Sequence, residues 1–310
     1  MSNYQFKLGM DLQMTGLPLQ KALALAEELG AKYGWFGDLH WAVNEVTNAT
    51  IDGIGELASR HGVKLFLIGA GGAFSKIHLT DLEIETITEQ PIFQQDFNRL
   101  IQTMQAAKRL GVDSVLVYSF AWPGEYSAGK PTWPMRWLTR GGVIANIDME
   151  KLLKVFSLVI EEAEKYDINI VLGNLPWHYT NTTIHCRQLI ENLGSTRIRV
   201  MWHPSDNLTS GELDSATAGF MNIRPFLHSL HVKDLRVIDG LNLNFEYCPI
   251  GEGDVDYITV LRNLRDHRID AVFAVATHFT LPNSDGADTM RINFAHIKPL
   301  MKRVETNSDT

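Results

Sequence analysis

The chain has 310 residues, 45% hydrophobic and 21% charged, the balance of an ordinary soluble globular protein. Its formal charge of −8 argues against an extended nucleic-acid surface or an anionic-membrane surface, while leaving room for a local basic pocket. Two cysteines, Cys186 and Cys248, stand without CxxC or CxxH spacing, which argues against a disulfide framework or a structural zinc site and points to a reducing compartment.

Taken in order, short apolar segments at 6–10, 33–37, 63–68, 114–118, 169–172, 199–202, 229–232 and 272–276 read as strands. From 63 onward they are mostly continuous apolar runs, as in a parallel sheet covered on both faces. Helical patterns alternate with them. Residues 19–29 are rich in Ala, Leu and Glu and stop at Gly30; 51–60 stop before Gly62, and 98–110 stop at Gly111. The stretch 149–166 carries a stripe of Leu152, Leu153, Phe156, Val159 and Ile160, and 257–266 and 290–304 complete the series. Unbroken alternation predicts a (β/α)8 TIM barrel, an α/β fold, over 1–310 as one domain, with an open doubly wound sheet as the alternative. The opening MSNYQFKLGM lacks a secretory pattern, and no apolar run reaches the roughly 18 residues of a membrane span, so a cytoplasmic protein without a membrane partner is expected.

Two connections, 71–94 and 119–147, are too long for tight turns. The second holds Trp122, Tyr126, Trp133, Arg136, Trp137 and Arg140 among three prolines, and is expected to be an ordered lid. Residues 305–310 are expected to form a flexible tail. All seven Trp fall in strands or in the loops just after them. Trp35 and Trp202 suit barrel packing; Trp122, Trp133 and Trp177 sit where a flat apolar face meets the CH-rich side of a sugar. His40, His178, His203, His231 and His278 fall at or just after strand ends two, five, six, seven and eight, so barrel closure brings them towards one bowl. His61, His78, His185, His228, His267 and His296 lack such placement and are read as structural.

The most informative run is His231-Val232-Lys233-Asp234, followed by Gly251-Glu252-Gly253-Asp254-Val255-Asp256. Ionisable groups at the carboxyl end of a buried strand are poorly explained by packing, and that end is where parallel barrels assemble chemistry. The Gly251 turn lacks the GxxxxGK[ST] pattern of a phosphate loop. Together with Leu8-Gly9, Glu27-Glu28-Leu29-Gly30-Ala31 and Ala276-Thr277-His278-Phe279, these motifs resemble the sugar phosphate isomerase/epimerase family, whose barrel is xylose isomerase-like. The resemblance implies proton transfer next to a substrate carbonyl around one divalent metal, Mn²⁺ or Mg²⁺, held by Glu, Asp, His and Glu at the ends of strands five to eight.

Carried onto this sequence, those four positions are Gly173, His203, His231 and Ala276. Gly and Ala have no side chain that ligates a metal or carries a proton, so the two-glutamate mechanism does not transfer. His203 and His231 remain as metal candidates, with Asp206 or His278 completing a set suited to Zn²⁺, Mn²⁺ or Fe²⁺. In a metal-free site, His178, His203, Asp206 and His278 are the acid–base candidates. His40, Trp122, Trp133, Arg136, Trp177 and Lys233 are the candidates for holding a small carbohydrate-like substrate, with Arg140 beside them. Isomerisation, epimerisation or a related elimination on a sugar or polyol is the expected function. The alternative is a non-catalytic carbohydrate-binding or partner subunit, and a homo-oligomer is compatible with both. A DNA-repair endonuclease on this barrel needs a three-metal cluster and a basic surface, which the missing glutamates and the −8 charge disfavour.

Overall fold

Successive residues of a strand point to opposite faces, so a run buried on both sides sends every second side chain inward and the others towards the helices. The strands β1 (Lys7–Asp11), β2 (Tyr33–Phe36) and β3 (Lys64–Gly69) precede β4 (Ser114–Tyr118) and β5 (Asn169–Gly173), in which this sorting is plain. Leu116 and Val171 join an inner cluster with Trp35, Leu67, Met201 and Ala274, while Val115, Val117, Ile170 and Leu172 join the larger core beneath the helices. The computed structural model describes residues 4–39, 46–122, 142–240 and 244–306. Within them β1 to β5, β6 (Ile198–Trp202), β7 (Leu227–Val232) and β10 (Val272–Val275) close into a parallel barrel, β10 pairing with both β7 and β1. Closure removes the open-sheet alternative.

An antiparallel hairpin, β8 (Asp234–Asp239) and β9 (Asn244–Cys248), follows β7 outside the barrel, where the sequence predicts only a connection. Helices α1 (Leu19–Glu28), α2 (Asn48–Arg60), α3 (Pro91–Leu110), α4 (Asn146–Tyr166), α5 (Thr183–Leu193), α6 (Pro204–Thr209), α7 (Phe220–Ile223), α8 (Tyr257–Asp266) and α9 (Gly286–Glu305) are spread along the chain. Several start earlier than their apolar stripes suggest, because the start is set by a cap or a proline. Thr47 accepts from Thr50 N before α2, Asp285 accepts from Ala287 N and Asp288 N before α9, and Pro91 opens α3. Glu305, expected in the tail, ends α9, and its carboxylate accepts from Phe6 N.

The connection 71–90 is ordered. It buries Phe74, Ile77, Leu79, Leu82 and Ile87, and the ammonium groups of Lys151 and Lys154 on α4 donate to the carbonyls of Leu79 and Ile84. The expected lid at 119–147 falls largely outside the described residues. Among the described residues no helix is long and apolar enough to cross a membrane.

Candidate functional site

The carboxyl ends of the barrel strands surround a cavity of about 560 Å³. Its polar residues arrive from opposite ends of the chain. Asp11 ends β1, and its Oδ1 accepts from Gln13 N at 3.1 Å and Met14 N at 3.2 Å, which fixes the carboxylate. Its Oδ2 lies 3.1 Å from His231 Nε2, near the end of β7. With the Asp11 carboxylate as acceptor, Nε2 donates this bond, and Nδ1 has no hydrogen-bond partner among the described residues.

A second carboxylate–imidazole pair lies beside the first. His203 follows β6 and Pro204 starts α6 directly after it, so one turn of helix brings Asp206 back to its ring. His203 Nδ1 is 3.1 Å from Asp206 Oδ2, and Lys233 Nζ is 3.0 Å from Asp206 Oδ1. Buried Asn174 holds the His203 backbone on both sides, accepting from its N–H at 2.8 Å and donating to its carbonyl at 3.3 Å. The rings of His203 and His231 lie 4.6 Å apart between centroids, and His278 stands 5.6 Å from His231 at 83°. The Nε2 atoms of His203 and His278 are hydrogen-bonded to nothing among the described residues.

The electrostatics follow from burial and counter-charge. Burial drives His203 down to about 3 and His278 well below the ordinary histidine value, so both imidazoles are neutral near pH 7. Burial alone raises the Asp206 carboxyl, but Lys233 and His203 overcome it and hold the group at about 2. Desolvation lowers Lys233, but the Asp206 carboxylate, Tyr247 and Asp11 together overcome it and leave the ammonium above its ordinary value. The pair is therefore an ammonium and a carboxylate over the whole physiological range.

The opposite wall is shaped by what is absent. A Cβ on Gly173 would lie 2.5 Å from Tyr118 Cε1, and the two residues are register partners across β4 and β5. The Tyr118 ring thus fills the space that a side chain at 173 would need. Ala276 is fully buried, with its N–H bonded to Val232 O at 2.9 Å. The described residues contain no group of three or more His, Cys, Asp or Glu side chains arranged to hold a metal ion. With Gly173 and Ala276 lacking donors and an ammonium already on Asp206, this donor set does not fit the divalent metal implied by the resemblance.

Of the residues singled out in the sequence, His203, Asp206, His231, Lys233, Trp177 and His278 line the cavity. His178 lies behind the wall, fully buried and stacked 5.0 Å from the Tyr118 ring; burial pulls it down to about 3. Trp122 belongs to the core, with its ring 4.0 Å from that of Tyr179. Neither is among the cavity's described lining residues. His40, Trp133, Arg136 and Arg140 lie outside the described residues. Sequence reading misses Asp11, Tyr118 and Tyr247 of the hairpin, whose ring lies 4.9 Å from His278 and 5.5 Å from Lys233 Nζ.

Asp234, the fourth residue of the leading motif, is no part of this bowl. Its carboxylate accepts from the N–H groups of Leu235, Gly251, Gly253 and Val255 at 2.8–3.3 Å, bolting the Gly251–Val255 turn to the strand end. A Cβ on Gly253 would stand 2.3 Å from its Oδ1, so the glycine there serves close approach.

Comparison with known proteins agrees with this architecture. A sequence model described as a xylose isomerase-like TIM barrel matches residues 20–299. A xylose isomerase domain protein from Planctomyces limnophilus superposes with a TM-score of 0.69 at 13% identity, covering 99% of this chain and 100% of that one. D-psicose 3-epimerase from Clostridium cellulolyticum H10 gives 0.62 at 13% identity over 98% and 97% of the two chains. The probable 3-DHS dehydratase AsbF from Bacillus anthracis gives 0.62 at 14% over 94% and 99%. No curated protein sequence matches.

Proposed function

Because the chain belongs to the xylose isomerase-like TIM barrel family, we propose that it moves a proton next to the carbonyl of a small carbohydrate-like substrate, using two carboxylate-anchored histidines. One observation carries this reading: the Asp206–His203 and Asp11–His231 pairs stand side by side in one cavity, each with a ring nitrogen that has no partner among the described residues. A neutral imidazole oriented by a carboxylate can act as a general base; burial disfavours charge on the His203 ring, and the Asp206 carboxylate together with the enolate formed in the same step would offset that charge.

The residues divide the work by their chemistry. His203 Nε2 takes the proton from the carbon beside the carbonyl, and the electron pair moves onto the carbonyl oxygen. The Lys233 ammonium donates to that oxygen as its charge grows. His231 Nδ1 carries the hydroxyl proton between the two oxygens of the enediol, and His203 returns its proton to carbon. Isomerisation follows this course; epimerisation would instead require an acid on the opposite face of the carbon that loses its proton. Trp35, Trp177 and Tyr247 supply flat apolar faces to the CH side of a sugar. The epimerase and dehydratase among the structural neighbours fit the same broad class of proton transfer.

Incubation with ketoses and aldoses in D2O, read by NMR, tests the reading. Exchange of the C–H proton is expected, with a loss of roughly 100-fold or more in His203→Gln, the usual worth of a general base. Sugar that binds with no exchange would falsify the enzymatic reading and leave a carbohydrate-binding subunit.

A further inference from the structure

A second cleft, about 260 Å³, opens beside the main cavity and shares Met14 and His278 with it. The cleft is large enough for several waters or for a substituent of a small ligand. Thr277, which lines this cleft, is 5% exposed, and among the described residues neither its hydroxyl nor Nε2 of His278 in the shared wall has a hydrogen-bond partner. Buried polar groups without partners are costly and call for an explanation, of which a bound ligand is one.

The chemistry of the wall selects the ligand. The cleft lies at the N-terminus of α9, where a parallel barrel often holds a phosphate. Here the position is taken: Asp285 Oδ1 accepts from Ala287 N at 2.9 Å and Asp288 N at 3.0 Å, so a carboxylate already occupies the anion's place. Ser284 donates to Leu281 O and Thr289 to Gly286 O, which leaves their lone pairs free for ligand donors. Among the described lining residues, the main cavity carries Asp11, Asp38 and Asp206 against Lys233 alone. Both compartments therefore disfavour a phosphate and suit hydroxyl groups.

We propose that this cleft is a subsite for an uncharged, hydroxyl-bearing extension of the substrate, a second sugar unit, so that the protein takes an unphosphorylated glycoside-like sugar. The assignment rests on the carbohydrate reading above and deepens it. Calorimetric titration with D-fructose, with lactulose (the same ketose carrying a galactosyl group) and with fructose 6-phosphate tests it. Lactulose is expected to bind at least tenfold tighter than D-fructose, and fructose 6-phosphate no tighter than D-fructose. Ser284→Phe, which fills the cleft, and the near-isosteric Thr277→Val should lower lactulose affinity with D-fructose affinity unchanged, and Thr277→Val, which removes a buried hydroxyl without a partner, should not lower the melting temperature. Equal binding of the two uncharged sugars, tightest binding of the phosphate, variants that keep the lactulose preference, or no binding of any probe would each overturn the subsite. Deuterium exchange is read separately in the same samples. A lactulose preference without exchange defeats the proposed reaction and keeps the cleft; exchange without the preference does the reverse.

Discussion

Asp206 and Asp234 are both buried at the carboxyl end of the barrel and both are surrounded by donors, yet their acidities shift in opposite directions. Asp206 faces an ammonium and an imidazole and is held down to about 2. Asp234 faces four neutral backbone N–H groups, and burial still raises it above the ordinary carboxylate value. Neutral dipoles satisfy a buried carboxylate without offsetting its full desolvation, whereas a formal counter-charge does. The first environment makes a carboxylate that orients a base; the second makes a clamp for a turn.

The comparison breaks hardest at Lys233. Lys233→Met leaves Asp206 buried without its counter-charge and should cost about 3–5 kcal/mol in urea unfolding, with C–H exchange lost as well. Acid gives the next largest effect. His203 and His178 sit at about 3 in the folded protein against 6.5 for a free imidazole, so they take up protons chiefly on unfolding. Each contributes stability present above pH 6.5 and lost as pH falls towards 3, at about 1.4 kcal/mol per pH unit. Asp234 works in the opposite sense: its raised carboxyl favours the folded state at low pH and loses that contribution as pH rises through its folded value. Urea midpoints at pH 7.5, 6.5 and 5.5 should therefore fall steeply below 6.5 despite Asp234; a flat profile would contradict buried neutral histidines.

Asp234→Asn sharpens the contrast from the other side. An amide replaces one acceptor oxygen by a donor facing backbone N–H groups, at a cost of about 2 kcal/mol, while exchange per folded molecule should stay near wild type. Loss of exchange with stability intact would put Asp234 back among the chemical groups. Gly173→Ala is the mildest probe: the added Cβ meets the Tyr118 ring and should cost about 1–2 kcal/mol by overpacking, read as a lower melting temperature.

Much of the barrel is legible in the order of the amino acids. The eight strands follow from short, doubly buried apolar runs, and Gly30, Gly62 and Gly111 mark helix ends because their positive φ suits the turn after a helix. The hairpin is harder to see, although Asn244-Phe245-Glu246-Tyr247-Cys248 alternates polar and apolar residues, a period-two signal that marks a strand. In the site, His203, His231 and Lys233 announce themselves as ionisable groups at strand ends. Asp11 does not, because an Asp after a short strand reads as the start of a turn, and its partner is far away in sequence. Tyr118 reads as an ordinary strand residue; only the packing against Gly173 reveals that it fills the space a side chain at 173 would need. Asp234 shares a motif with His231 and Lys233, and only its hydrogen bonds separate it from them.

The Asp11–His231 bond joins residues 220 positions apart. During synthesis, at about 5–20 residues per second, the β1 carboxylate waits roughly ten to forty seconds for its imidazole. The bond also lies near the seam where β1 meets β10, which completes the barrel. Its formation therefore belongs to the last stage of folding, after the nascent chain has released nearly all of its strands. A ribosome-bound fragment ending before β7 has no such pair, so the imidazole resonance of His231 is a natural reporter for the moment at which the newly made chain becomes chemically competent.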